Sequence, residues 1–143
     1  MKVKVKKLRP EAILPGYASP CSAGADLYVA WQSVTLQPGE TALIPTGISL
    51  EIPEGYGGFL YARSGLATKK GLAPANKVGV IDSDYRGEVM VALLNHSAEP
   101  RTVEPGERIA QLVIAPYLKA EFEESDELCQ TERGTGGFGS TGK

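Results

Sequence analysis

The chain has 143 residues, 42% of them hydrophobic and 22% charged, and its formal net charge at pH 7 is −2. The length is that of one domain with a single core, and the charge balance disfavours a broad basic surface of the kind that binds nucleic acid. No apolar run reaches the roughly 20 residues needed to cross a bilayer, so a transmembrane helix is excluded and no membrane partner is expected.

Short segments of apolar or alternating character recur along the chain, separated by turns. The chain contains 17 Gly and 10 Pro, more than helix-rich folds usually carry. Strands of about four to eight residues, punctuated by Gly and Pro, are typical of a β-sandwich or barrel. We predict an all-β fold with strands over residues 3–8, 25–30, 41–44, 48–52, 59–62, 78–81, 89–94 and 109–114.

The first predicted strand, residues 3–8, lies in the opening sequence MKVKVKKL, in which Val alternates with Lys. A signal peptide needs an apolar stretch after its basic residues, and none follows here, so we predict an edge strand. One short helix is predicted after the strand at 59–62. It covers residues 65–70, with Ser64 as its N-cap and Gly71 at its end.

The chain changes character after Pro116. The next segment, 117–132, is a polar linker in which residues 120–124 predict one further strand. Residues 133–143 contain five glycines and a single large apolar side chain, Phe138, so they cannot offset their ordering entropy with a core of their own. We expect either a flexible arm that becomes ordered on binding or a chain end with no role.

This glycine-rich arm has the chemistry of a phosphate contact. Its backbone N–H groups, including that of Gly139, can approach phosphate oxygens closely, and the hydroxyl groups of Ser140 and Thr141 add donors. Arg133 adds a charged fork, and the ring of Phe138 can stack on a base. The arm also contains a formal G-x-G-x-x-G, but no helix can follow it, so the dinucleotide fingerprint is rejected.

Two carboxylates and a tyrosine lie in the segment Gly79–Gly87, between two predicted apolar strands, and the pattern predicts a hairpin tip. Asp82 and Asp84 are either Asx-turn residues or include a general base that orients and deprotonates a water. The only histidine, His96, lies in a polar turn. A carboxylate is therefore the natural candidate for the base.

The segment Arg63-Ser64-Gly65 ends a predicted strand and opens the predicted helix. Backbone N–H groups and the dipole at a helix start favour an anion, and Arg63 adds a bidentate contact. The alternative is a surface arginine beside an N-cap serine.

Metal and redox chemistry leave few traces in the sequence. The H-x-E and P-C-x-x-C elements of zinc-dependent nucleobase deaminases are missing, so zinc has no support. Mg²⁺ is compatible with the sequence because it keeps several waters and often binds mainly through substrate phosphates. The two cysteines, Cys21 and Cys129, form no C-x-x-C pair or disulfide framework, which fits a reducing cytoplasm.

With these residues in view, the chain resembles the homotrimeric dUTPase family. The resemblance runs from about residue 3 to the last glycine and rests on separate blocks in the family's order. One departure is Ala62, where family members often have Pro, a position that carries no chemistry. The five matching blocks are Ala23–Leu27, Ala62–Ala67, Gly79–Val89, Glu107–Gln111 and Arg133–Gly142.

The resemblance implies a jelly-roll-like β fold and a homotrimer with active sites between subunits. A strand within 117–132 would be exchanged, and the arm 133–143 would close over a pocket formed by the other subunits. The implied reaction is attack of water on the α-phosphorus of dUTP, giving dUMP and pyrophosphate, with Mg²⁺ spanning the phosphates. Such an enzyme limits uracil incorporation into DNA and supplies dUMP for thymidylate synthesis.

The resemblance also implies a role for each matched residue. Asp82 is implied as the catalytic carboxylate, Tyr85 as the ring that excludes a ribose 2′-hydroxyl, and Asp26 as a neighbour of the metal's water shell. Uracil would be read largely through main-chain groups of a hairpin over 76–82, which includes Asn76, Val80 and Ile81. The residues implied to hold phosphates are Arg63, Ser64, Gly65 and Gln111, joined from the arm by Arg133, Gly139, Ser140 and Thr141, while Phe138 covers the uracil.

Two other functions stay open at this point. A dCTP deaminase, alone or combined with triphosphate cleavage, belongs to the same structural family. Those relatives use a Glu for deamination around the third block, where this chain has Asp82-Ser83-Asp84-Tyr85. A β-sandwich module that senses a nucleotide would instead bind it without turnover.

Overall fold

Eleven strands and one short helix make up residues 1–138, the part of the chain that the computed structural model describes. The prediction of an all-β fold with one short helix is confirmed. In chain order the elements are β1 (Lys4–Lys7), β2 (Ala25–Tyr28), β3 (Val34–Leu36), β4 (Thr41–Pro45), β5 (Ile48–Glu51), β6 (Tyr56–Tyr61), α1 (Ser64–Lys70), β7 (Leu72–Pro74), β8 (Gly79–Ile81), β9 (Met90–Asn95), β10 (Arg101–Val103) and β11 (Arg108–Pro116).

All strand pairs are antiparallel, and within residues 1–138 they form four sheets rather than one closed barrel. The largest sheet has the order β2-β11-β6-β8, and a second has the order β4-β9-β7. The pairs β1-β5 and β10-β3 complete this jelly-roll-like arrangement. Strand β11 is nine residues long and pairs with β2 on one side and β6 on the other.

The core is built by the alternation of side chains along each strand. In β9, Val91 and Leu93 are buried and Met90 is exposed, as expected of a strand with one face on the core. Burying one such Val or Leu side chain stabilises the fold by roughly 1.5–3 kcal/mol. Other fully buried side chains from several sheets are Leu27, Leu36, Ile44, Ile48, Leu72 and Ile109.

All eight strands predicted within the β core are present, with ends that differ by at most 3 residues, and β1 lies at a sheet edge as predicted. The strands β3, β7 and β10 were not predicted. Each has 3 residues, too few for an alternating pattern to stand out. Residues 120–124 are exposed and pair with no strand in the described part of the chain, so a strand there stays a prediction that needs a second chain.

Two local predictions were wrong. The N-cap of α1 is Arg63 in an extended conformation, without a side-chain cap bond, so Ser64 is the first helical residue rather than the cap. Gly71 ends the helix with φ +67, as predicted. The segment Gly79–Gly87 is not a hairpin, because β8 and β9 belong to different sheets, and the segment 76–82 likewise joins two sheets. Apolar patterning locates strands but does not say whether consecutive strands pair with each other.

No helix in residues 1–138 has the length and apolar character to span a membrane.

A turn between β4 and β5 depends on a glycine. Gly47 has φ +71, and a β-carbon there would lie 2.8 Å from Ala12 Cβ and 3.1 Å from Ala30 Cβ. We expect Gly47→Ala to lower the free energy of unfolding by about 2–5 kcal/mol, combining backbone strain and overpacking. The matched control is Gly39→Ala, with φ +77 but open space around it, which carries the backbone strain alone. Equal losses in urea denaturation would contradict the packing argument.

Candidate active site

The carboxylate Asp82 lies at the end of β8, in a tight turn that the chain fixes through hydrogen bonds. The Tyr85 backbone N–H donates to the Asp82 carbonyl at 3.2 Å. The guanidinium of Arg86 donates from Nη1 to the carbonyls of Ser83 (2.6 Å) and Tyr85 (3.0 Å). Asp82 itself is exposed. Hydrogen bonds therefore fix the backbone of the turn from which the Asp82 carboxylate is exposed to solvent.

A cavity of about 340 Å³ lies against this turn. Its wall includes β8, an edge strand that pairs only with β6 within residues 1–138. The N–H and C=O groups on the outer edge of such a strand are free of sheet pairing and can recognise a flat polar ligand. The sequence-predicted residues that share this wall are Asn76, Val80, Ile81, Asp82 and Tyr85.

A second, larger cavity of about 800 Å³ lies on the other side of the same turn. Val80 and Asp82 line both cavities, whereas Asp84 and Arg86 line only the larger one. Asp82, not Asp84, is thus the carboxylate that both cavities share.

A cluster of ion pairs around one buried carboxylate lies near the start of the helix. Asp26 on β2 is only 3% exposed and accepts hydrogen bonds from Arg63 Nε at 2.8 Å and from Arg108 Nη1 at 3.2 Å. Arg63 also donates from Nη1 to the Arg108 carbonyl at 3.4 Å. One carboxylate therefore holds two guanidinium groups side by side, a geometry suited to an anion with several oxygens.

The register of β11 adds an amide to this cluster. Gln111 lies opposite Asp26 on β2 and opposite Tyr61 on β6. A β-carbon at Gly24 would lie 3.0 Å from Gln111 Cβ, so glycine at this position leaves room for the glutamine stem. Ser64 and Gly65 are exposed at the first turn of α1, directly after Arg63. The predicted phosphate residues of the β core are therefore brought to one end of the four-stranded sheet.

The structure does not bring Asp82 to this cluster within one chain. Along β6, Tyr61 faces Gln111 and Gly58 faces Ile81, the residue before Asp82. Asp82 and Gln111 are therefore separated by about 13 Å along the strand direction. They also lie on opposite sides of β6, because Asp82 follows β8 and Gln111 is on β11. The described chain therefore carries two clusters at different ends of the sheet. The residues predicted to bind the base, around Asp82, are called the base-side cluster, and those predicted to bind phosphates, around Asp26, are called the phosphate-side cluster.

The predicted arm residues lie only partly in the described chain. Arg133 and Phe138 are exposed, and Arg133 donates from Nε to the Gly136 carbonyl at 2.8 Å. Within the described chain, the hydrogen bonds of residues 118–138 all join residues of that segment. The predicted phosphate contacts Gly139, Ser140 and Thr141 lie outside the described residues.

In the described part of the chain, the side chains that could bind a metal are not grouped. Residues 1–138 contain no group of three or more His, Cys, Asp or Glu side chains that could hold a metal ion. The Asp26 carboxylate is buried and each of its oxygens accepts from a guanidinium. These donors do not fit a protein-held Mg²⁺ cage, and a contact between Asp26 and the water shell of a metal stays a prediction.

Sequence reasoning missed Arg108, Arg86 and Glu88 as contributors to the two clusters. Arg108 precedes Gln111 by 3 residues, and a register shift in β11 between Arg108 and Ala110 breaks the simple alternation. No pattern in the sequence indicates that such a bulge changes the direction of a side chain. Arg86 bonds to backbone carbonyls of its own turn, whereas Glu88 accepts from Gly47, which only the fold brings within reach.

Similarity to known proteins shows the family of this chain. Residues 10–142 match the family model described as dUTPase. The chain belongs to the dUTPase family. A deoxyuridine 5′-triphosphate nucleotidohydrolase of Desulfitobacterium hafniense is 52% identical to this dUTPase-family chain, covering 99% of this chain and 97% of that protein. Another from Nautilia profundicola is 52% identical and covers both chains completely.

Solved structures agree with this assignment. A mutant dUTPase of Staphylococcus bacteriophage 80alpha with dUpNHpp is 32% identical, covers 99% of both chains and superposes with a TM-score of 0.89. A mutant dUTPase from phage phi11 of S. aureus is 28% identical, covers 89% of this chain and 98% of that one, and has a TM-score of 0.79. The latter structure reveals the coordination of a structural Mg(II) ion in that protein.

Because Asp26 pairs with two guanidinium groups, the stability of the fold depends on its negative charge. In Asp26→Asn the amide offers one acceptor oxygen, and its NH₂ group faces a cation. We expect the free energy of unfolding to fall by about 1–3 kcal/mol, because a buried pair is left incomplete. The control is Glu51→Gln, which removes an exposed pair with Lys4 and should change stability little. Equal effects in chemical denaturation would show that burial does not matter here.

Proposed function

We propose that this chain hydrolyses dUTP to dUMP and pyrophosphate by attack of water on the α-phosphorus. The observation that carries the proposal is the exposed carboxylate of Asp82, which shares a cavity wall with Tyr85 and the open edge of β8. Membership of the dUTPase family supports the same activity. The activity limits uracil incorporation into DNA and supplies dUMP for thymidylate synthesis.

In the proposed reaction, Asp82 acts as the general base. Its carboxylate orients a water, takes one proton, and directs the resulting hydroxide onto the α-phosphorus while pyrophosphate leaves. Arg63 and Gln111 hold the phosphate oxygens, and the missed residue Arg108 adds a second positive charge beside them. Positioning and charge stabilisation provide most of the acceleration in phosphoryl transfer.

The same cavity supplies the proposed recognition of the base and sugar. Main-chain groups of β8 around Val80 and Ile81 read the uracil edge, with Asn76 beside them. An analogue that leaves such polar groups unpaired is rejected more strongly than one that adds a methylene in an apolar pocket. Tyr85 lies against the deoxyribose and leaves no space for a 2′-hydroxyl.

We propose a homotrimer in which each site combines the clusters of different chains. The separation of Asp82 from Gln111 along β6 favours such sharing, because one triphosphate must reach both. Large apolar side chains are exposed around the cavity, with Leu43 63% and Val80 64% exposed, as expected of surfaces that a partner covers. From a third chain, Arg133, Ser140 and Thr141 would hold the terminal phosphate and Phe138 would cover the uracil.

We also propose that Mg²⁺ arrives on the triphosphate of the substrate, which agrees with the lack of a metal cage in residues 1–138. Bound there, Mg²⁺ neutralises phosphate charge. A reducing compartment such as the cytoplasm suits the chain, since Cys21 and Cys129 are both exposed and unbridged.

The base can be tested by one substitution and a neighbouring control. We expect Asp82→Asn to retain nucleotide binding and to lose about 10²-fold or more of its turnover, because the amide cannot accept the proton of water. Asp84→Asn, in the same turn, should keep most activity. The assay measures pyrophosphate release from dUTP, dTTP, dCTP and UTP, and ammonia release from dCTP. Normal dUTP turnover by the Asp82→Asn variant would remove Asp82 from the role.

Sharing of the site between chains can be tested by complementation. Chains carrying Asp82→Asn and chains carrying Arg63→Gln are co-expressed and purified as mixed oligomers. If a site takes these residues from two chains, about one third of the sites in mixed trimers regain both, whereas a single-chain site regains none. Wild-type chains mixed with doubly substituted chains give the reciprocal control. Activity no higher than that of the parents, or a monomeric mass in solution, would contradict the shared site.

A further inference from the structure

The ring of Tyr85 is held in place by its own loop. Its hydroxyl group donates to the Glu88 carbonyl at 3.0 Å, so the polar end of the side chain is turned back onto the backbone. The ring lies across Gly87, where an added β-carbon would overlap it, with Tyr85 Cε2 at 2.8 Å. The loop from Tyr85 to Glu88 therefore determines where the ring stands.

The carboxylate of Glu88 ties this loop to the buried turn between β4 and β5. Its Oε1 accepts from the Gly47 backbone N–H at 2.8 Å. On the next residue, the Val89 carbonyl accepts from Thr46 Oγ1 at 2.6 Å, and the Val89 N–H donates to the Ile48 carbonyl at 2.8 Å. Thr46 and Ile48 are at most 1% exposed. The loop is thus joined to a part of the core that cannot easily move.

The Glu88 carboxylate is the loop side chain that bonds to the buried turn between β4 and β5. Hydrogen bonds that involve a charged group are roughly twice as strong as neutral ones. Because the Glu88 carbonyl receives the tyrosine hydroxyl, a change in the anchoring of Glu88 is transmitted directly to the ring. Val89 keeps its own bonds to the core, so loss of the carboxylate loosens the loop without detaching it.

We propose that Glu88 is a positioning residue that sets the discrimination between deoxyribose and ribose at Tyr85. The inference rests on the proposed function, in which this ring lies against the sugar of the nucleotide. A ring excludes a hydroxyl group through its distance from the sugar, so displacement of the ring opens space at the 2′ position. The displacement should raise activity on the ribonucleotide far more than it lowers activity on the deoxyribonucleotide.

The test compares kcat/KM for dUTP and for UTP in the full-length oligomer. In Glu88→Ala the ratio of the two should fall about 10-fold, because the loop that holds the ring is loosened. Gly87→Ala pushes on the ring directly and should lower the ratio by at least as much; its β-carbon meets only Tyr85 side-chain atoms at closest range, so the fold is spared. Glu88→Gln keeps the acceptor oxygen for Gly47 and should keep the ratio within about 3-fold of wild type.

The matched control is Glu40→Ala, which removes a similar bond, from the Gln37 backbone N–H to the Glu40 carboxylate at 2.6 Å, away from the cavity. It should leave the ratio unchanged. An unchanged ratio in Glu88→Ala would overturn the inference, whatever Gly87→Ala does, as would a Glu88→Gln variant that behaves like Glu88→Ala. Failure of the proposed function would be recognised differently, because the unmodified chain would then release no pyrophosphate from dUTP.

Discussion

The pairing of β11 with both β2 and β6 is the constraint on which the site depends. It places Gln111 between Asp26 and Tyr61, and the same register places the turn after β8 several residues away along β6. A slip of one residue would turn every side chain of β11 to the opposite face. The buried residues Ala110 and Leu112 share one face of β11 and resist such a slip, because it would move them away from the core. The core therefore fixes where each chain carries its two clusters.

The phosphate-side cluster shows how a chain with a net charge of −2 can favour a polyanion at one place. Asp26 cancels one of the two guanidinium charges next to it, which leaves about one positive charge and two oriented donor groups. A larger basic patch would attract nucleic acid and phosphates without regard to shape. In this cluster the orientation of the donor groups, rather than a large positive charge, favours an anion. The buried carboxylate of Asp26 holds Arg63 in position before a ligand binds.

Most of the fold could be predicted from the sequence, and the features that were missed share a physical cause. Strands such as β9 were found because their alternation spans a core face, and the ordered blocks pointed to Asp82, Arg63 and Gln111. The sequence did not reveal that β8 and β9 lie in different sheets, or that Arg108 reaches Asp26. Both facts depend on long-range pairing, which local periodicity does not encode. The role of Glu88 was hidden for the same reason, because its partner Gly47 is 41 residues away.

The division of the site into two distant clusters has a consequence for specificity. The base-side cluster is anchored to the buried turn between β4 and β5, whereas the phosphate-side cluster is anchored to β2 and β11. In the proposed trimer the two anchors of one site lie on different chains, so their relative position is set by the subunit interface. A nucleotide whose base fits but whose phosphates are displaced would then fail to place its α-phosphorus at Asp82. Under the proposed function, selection among nucleotides is made jointly by the base, the sugar and the position of the phosphates.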